Sequence, residues 1–210
     1  PLWSRGLGDV YKRQSDIQAL TSDQIVTLNT EQLKGLQTQQ VSVFSSEQVT
    51  ALQTTQFAAL SNIQLRSLSS ELIRVLTTDY LVALNTSQIA GAGAQMSALG
   101  SVQLAAMLTT QLVSLTTQQI ASIESAQIQG LSSVQLRSLS TTQIRSLSND
   151  RIVALNSSQL SGLLTQQFAS LLSAQLVAIE TSDIQALMSS QIAALTTTQL
   201  GALQTAQMPA

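Results

Sequence analysis

The sequence predicts an all-α solenoid built from one short helix in every eight residues. Three observations carry this expectation. An eight-residue repeat runs from Ser15 onward, its apolar positions lie three residues apart, and a hydroxyl or amide residue recurs at one place in nearly every unit. Repetition on this scale marks a stacked array, because a single unit is too small to bury its own apolar face.

The unit reads x-[S/T]-x-Q-[I/L]-x-small-L, with glutamine at position 4. Position 4 is Gln in 20 of 25 units, the exceptions being Asp16, Leu72, Tyr80, Arg151 and Asp183. Position 5 is apolar throughout, from Ile17 to Met208, and position 8 is apolar in all 24 units. Position 7 is small or β-branched, as at Gly35, Ser67 and Ala83. Position 2 is Ser, Thr or Asn everywhere except Gly93, and positions 1, 3 and 6 vary freely, which assigns them to solvent. The frame slips once, by one missing residue near Ala92–Gln95.

One continuous helix cannot carry this pattern. Eight residues at about 100° each overshoot two turns by about 80°, so the 5/8 stripe would circle the cylinder within about five units. The helix must break in each unit, and the Ser/Thr column at position 2 suggests an N-cap there. Helices of six to seven residues follow, with Asp23, Glu31, Glu47, Glu71, Asp79 and Asp150 at the first helical position, where the helix dipole favours acids. A T-x-x-Q capping box starting from position 1, as in Thr196–Gln199, is the other placement. It is set aside because position 1 also admits Leu108, Leu164, Leu172 and Met188. Positions 5 and 8 lie on one face of such a helix, and the small residue at 7 lets neighbouring backbone approach. A helix this short is unstable alone in water, so its stability comes from stacking. The alternative is a β-solenoid with glutamine ladders. Positions 5 and 8 have opposite parity on a strand, and the array has only seven glycines to make turns.

Composition excludes much chemistry. Only 10% of residues are charged and 3% aromatic, and Cys and His are absent. Disulfides, thiolate nucleophiles, zinc fingers and imidazole bases are therefore unavailable. Apart from residues 1–14 the chain carries six basic and ten acidic residues, which argues against nucleic acid as a partner. No apolar run approaches the length of a membrane span. The acids are scattered singly, and neither a phosphate-binding glycine loop nor a nucleophile elbow occurs. The expected catalytic, cofactor and metal residues are none, and the chain reads as a non-enzyme.

Other polar features have bland readings. The Gln column is expected to bond the backbone of its own or the adjacent unit, and the Ser/Thr column to cap helices. Arg66 with Arg74, and Arg137 with Arg145, form exposed basic pairs explained by solvation. Arg151, beside Asp150, reads as an ion pair or a tolerated substitution. A larger duplication relates residues 64–91 to 135–162 at an offset of 71, and a shorter echo at Asp23 precedes Asp79 by seven octads; these unequal spacings suggest recombination between blocks.

Residues 1–14, PLWSRGLGDVYKRQ, lack the repeat and resemble a translated sequencing-adapter peptide. They are expected to form an artefactual or disordered leader, with the solenoid occupying 15–210. The units LTTTQLGAL, LNSSQLSGL and LSTTQIRSL resemble Ser/Thr-Gln octapeptide regions of very long bacterial surface or secreted proteins, some described as adhesion or haem-utilisation proteins. That resemblance implies an extracellular or cell-surface stalk or spacer. Haem finds no His or Cys ligand here. The functional expectation is a structural or interaction module with a protein or polysaccharide partner, the alternative being a binder of a repetitive surface such as polysaccharide or ice. Units near both ends read like interior ones, so the chain is expected to be an excerpt that associates end to end.

Overall fold

The computed structural model describes residues 14–203. Among these residues a helical turn at 14–18 precedes 22 α-helices and one 3-10 helix, from Ser22–Thr27 to Thr197–Ala202, and there is no strand. The α-helices are four to six residues long, somewhat shorter than the six to seven expected. The all-α solenoid reading stands, and the β-solenoid does not.

Each octad folds in the same way. Position 1 is the N-cap in extended conformation, the helix occupies positions 2 to 5, 6 or 7, and position 8 is extended again. Leu28 (φ −64°, ψ 131°) and Asn29 (φ −79°, ψ 166°) form one such corner. These dihedrals suit any residue, so the corners need no glycine. Position 8 closes each helix by donating its N–H to the position 5 carbonyl, as Leu147 does to Ile144 at 3.2 Å.

The cap lies one residue earlier than the Ser/Thr column suggested. Thr21, Asn29, Ser45, Ser61, Asn85, Ser132 and Thr196, all at position 1, accept from the backbone N–H of the glutamine three residues on. The physical reason is that glutamine returns the bond: its Oε1 accepts the position 1 N–H, completing a capping box. Where position 1 is Leu108, Leu164, Leu172 or Met188, the glutamine still accepts that N–H, at 2.7–3.0 Å. An apolar residue at position 1 therefore loses only the side-chain half of the cap. The acids Asp23, Glu31, Glu47, Glu71, Asp79 and Asp150 fall at the second helical residue, still within the first turn.

The chain forms two compact units that divide between Leu99 and Gly100. Within the first, each helix packs on the one three octads later. Ser22–Thr27 meets Ser46–Ala51, which meets Ser70–Val75, and the other two faces repeat the pattern. Within the second, Ser101–Ala105, Ser125–Ile128, Asn149–Val153, Ser173–Ala178 and Thr197–Ala202 form one such column. One coil is thus three octads, or 24 residues. Positions 5 and 8 of all three octads fill its interior: Leu112, Ile120, Ile128, Leu136 and Ile144 are completely buried. Every described position 3 residue whose side chain is placed is exposed, as are nearly all at position 1 and most at position 6.

The frame slip is absorbed at Gly93, which has φ +60°, the only positive φ among the described residues. A left-handed residue followed by the 3-10 helix Gly93–Ala98 replaces the usual corner and α-turn.

Candidate functional site

The most regular polar feature is the glutamine column, and it is almost entirely internal. Fifteen glutamines are buried, all of them at position 4, from Gln48 to Gln199. A helix of five or six residues leaves nearly all its carbonyls without intrahelical partners. Glutamine Nε2 supplies those partners across the coil boundary. In Gln143 it donates to the carbonyls of Leu112 (3.2 Å), Val113 (3.2 Å) and Leu115 (2.8 Å), 31, 30 and 28 residues earlier. Gln64, Gln159, Gln167 and Gln191 repeat these offsets. Each side chain thus caps the start of its own helix and the end of a helix in the preceding coil. The unit it reaches is the fourth one back in sequence, not the adjacent one. No buried side-chain nitrogen or oxygen lacks a partner among the described residues.

Two exceptions in the column supply the donor to the preceding coil with different chemistry. Tyr80 Oη donates to the carbonyls of Thr50 (2.9 Å) and Leu52 (2.5 Å), at offsets of 30 and 28. Its ring lies 5.0 Å from that of Phe57, and burial raises its pKa above the usual tyrosine value. Arg151 Nε donates to the Ile123 carbonyl at 2.8 Å, offset 28, and a terminal nitrogen donates to Ser148 Oγ, so it replaces the glutamine's donor toward the preceding coil while no capping box forms. Arg151 is accordingly a tolerated substitution and makes no ion pair with Asp150. Tyr80 and Arg151 occupy equivalent places in the duplicated blocks 64–91 and 135–162. Sequence reasoning left Tyr80 as a bare exception and read Arg151 only as an ion pair or a tolerated substitution. The available signal was that each carries an N–H or O–H on a long side chain, as Leu72 and Asp183 do not. Asp183 instead accepts from the Ser157 hydroxyl.

The Ser/Thr column at position 2 is the first helical residue, and it faces the next coil. Asn62 Nδ2 donates to the Ser87 carbonyl (3.1 Å) and Ser133 Oγ to that of Ser158 (3.1 Å), both 25 residues ahead. Position 7 meets position 2 from the other side. A Cβ added at Gly162 would lie 2.7 Å from Ser133 Cβ, and one at Gly91 would lie 2.8 Å from Asn62 Nδ2. Serines at position 7 turn inward along their own helix, as Ser146 Oγ does to the Gln143 carbonyl (2.7 Å).

The exterior offers little to chemistry. Arg66, Arg74, Arg137 and Arg145 are exposed and lie on successive helices; the position 6 neighbours stacked with Arg66 are Ser42 and Ala90. Glu47 is held below the usual carboxylate pKa by its own backbone N–H and then by the Ser45 hydroxyl. No cluster of three His, Cys, Asp or Glu side chains suited to a metal ion occurs among the described residues. No helix there is long and apolar enough to cross a membrane. An open groove of about 660 Å³ in the first unit is lined by Thr30, Lys34, Ala58, Ser61, Asn62 and Ser87, among others.

No curated protein matches the chain. A family described as the ALTTAQ repeat matches residues 25–62, 120–157 and 176–210, together more than half of the sequence. Its six-letter word runs over positions 7, 8, 1, 2, 3 and 4 of the octad, as in Ala194–Gln199, which reads ALTTTQ. Those positions hold the corner and the capping box, the part of the unit that glutamine closes. On this match the chain belongs to the ALTTAQ repeat family.

Proposed function

We propose that this chain is a non-enzymatic structural module, an extended arm or spacer of a bacterial surface or secreted protein. One observation carries the reading: the regular columns of the repeat are consumed inside the fold. Positions 5 and 8 fill the core, position 4 joins successive coils, and positions 2 and 7 meet between them. What faces solvent is irregular. One position 3 column of the second unit reads Val102, Ala126, Asp150, Ala174, Thr198, and the first unit's position 6 column reads Val26, Thr50, Arg74. A lattice-binding surface needs like groups at like intervals, and these columns do not provide them. The absence of imidazole and thiol from the sequence agrees with a role that turns over no substrate. The extracellular setting follows from the octads' resemblance to bacterial surface proteins.

A spacer sets a distance. Small-angle scattering on chains carrying zero, one or two extra copies of residues 117–140, one full coil, tests this. The reading expects the maximum dimension to grow by the same increment for each coil. An unchanged dimension, or saturable binding of the unmodified chain to a polysaccharide panel or to ice, overturns it.

A further inference from the structure

The frame slip removes one large side chain from the apolar core. Position 8 is Leu, Ile, Met or Phe in every octad that reaches it except one, where it is Ala92. Ala92 serves two positions at once. Its N–H donates to the Ile89 carbonyl at 3.2 Å, as a position 8 residue does, and its carbonyl accepts from the Gln95 N–H at 3.3 Å, as a position 1 residue does. One corner of the coil therefore holds a methyl group where the others hold a larger apolar side chain, most often leucine. A cavity of about 30 Å³ lies against it. Phe57, Leu65, Leu84, Ile89, Met96 and Leu99 are among its walls, all buried and all in the first unit, and no polar atom faces it. Of the residues that line it only Ala92 and Gln95 are half-buried, so the way in runs past the slip. The volume exceeds the roughly 10–15 Å³ that a water needs, but a water also needs polar partners, and these walls offer none. Atoms that face such a gap forgo the dispersion contacts that close packing gives the rest of the core.

We propose that this cavity is a binding site for a small apolar molecule of about one or two heavy atoms, of the size and character of dioxygen or xenon. Such a guest restores the missing dispersion contacts and breaks no hydrogen bond. The volume is about that of one molecule in liquid water, far below the roughly 150 Å³ that accommodates benzene, so larger ligands are excluded. Because the site exists only in the folded chain, the guest stabilises the first unit as its concentration rises. The inference is independent of what the arm carries or where it resides.

Methyl NMR of the full chain under rising xenon pressure tests it. The expected result is that the methyl signals of Met96, Leu84, Ile89 and Leu99 shift and then level off as the site fills. Those of Leu136 and Ile144, completely buried in the second unit, should stay in place. Ala92→Leu supplies the missing carbons, and Ala90→Leu places the same side chain at position 6 of the same octad. The saturable shift should be lost in Ala92→Leu and kept in Ala90→Leu, with the circular dichroism of both unchanged. The absence of a saturable shift in the unmodified chain overturns the proposal, as do shifts of equal size at Leu136 and Ile144, which mean that xenon enters the whole core. So does an Ala92→Leu chain that responds as the unmodified one does, since the site then does not arise from the slip.

Discussion

A single glutamine at position 4 resolves the main problem of a helix too short to satisfy itself. Its amide has one acceptor and two donor hydrogens, and the fold uses both kinds: Oε1 for the N-cap N–H of its own unit, Nε2 for terminal carbonyls one coil back. In mid-array Gln143→Leu removes these bonds inside a buried site, where each orphaned polar group costs about 1–3 kcal/mol. Gln143→Glu keeps the capping oxygen but loses the donors. Urea denaturation should therefore rank the unmodified chain above both variants, each losing about 2 kcal/mol or more. If Gln143→Leu unfolds at the midpoint of the unmodified chain, the inter-coil bonds contribute nothing. Tyr80 offers a second check through pH. Burial raises its pKa, so the protonated phenol is the form the fold prefers. Stability from this group is complete below the unfolded tyrosine value of 10.0 and declines as pH rises through the higher folded value. Unfolding midpoints measured between pH 9 and 11 should fall more steeply for the unmodified chain than for Tyr80→Gln, which keeps an amide donor without a titrating proton.

At the scale of one helix, small residues set how closely coils approach. A Cβ at Gly162 meets Ser133 Cβ at 2.7 Å and the Ser158 carbonyl at 2.9 Å, so Gly162→Ala forces the coils apart despite alanine's better helix propensity. Gly201, at an outward position with nothing within 4 Å of an added Cβ, has no such conflict. Thermal melts should show Gly162→Ala destabilised and Gly201→Ala neutral or gaining up to about 1 kcal/mol. Gly93 is different again, because its φ of +60° makes any side chain costly there, about 1–2 kcal/mol for alanine. Much of this level was legible in the sequence. The 80° drift required a break in each unit, and the i, i+3 spacing of positions 5 and 8 identified the inward face. The cap was misplaced by one residue because the Ser/Thr column was weighed alone. Position 1 looked too apolar to cap, yet its N–H is satisfied by the glutamine and not by its own side chain. The geometry of the Gln–x–x–cap pair was in the sequence; which of two adjacent polar columns started the helix was decided by that reciprocal bond.

The number of octads per coil belongs to the whole molecule, and it could not be read from the repeat. All octads are nearly alike, so two, three or four per coil bury the same leucines, and only the contacts between coils choose among them. Within each unit the structure chooses three. The one-residue slip is tolerated because Gly93 and the 3-10 helix restore phase within a single octad. Gln95 there still reaches the Arg66 carbonyl at 2.6 Å, 29 residues back where 30 is usual.

That coil size, on which the glutamine bonds and the 2/7 contact both depend, is open to direct test by disulfide trapping, since the chain has no cysteine. A Cβ at Gly130 would lie 3.5 Å from that of Ser101, within the range a disulfide spans. Position 7 of the preceding octad is Ser122 and of the following one Ser138, the partners Ser101 would meet in coils of two or four octads. The pairs S101C/S122C, S101C/G130C and S101C/S138C, purified without reductant and mapped by mass spectrometry, distinguish the three. The account predicts an intramolecular disulfide in S101C/G130C and free thiols in the other two; cross-linking of S101C/S122C or S101C/S138C in preference to S101C/G130C would contradict it.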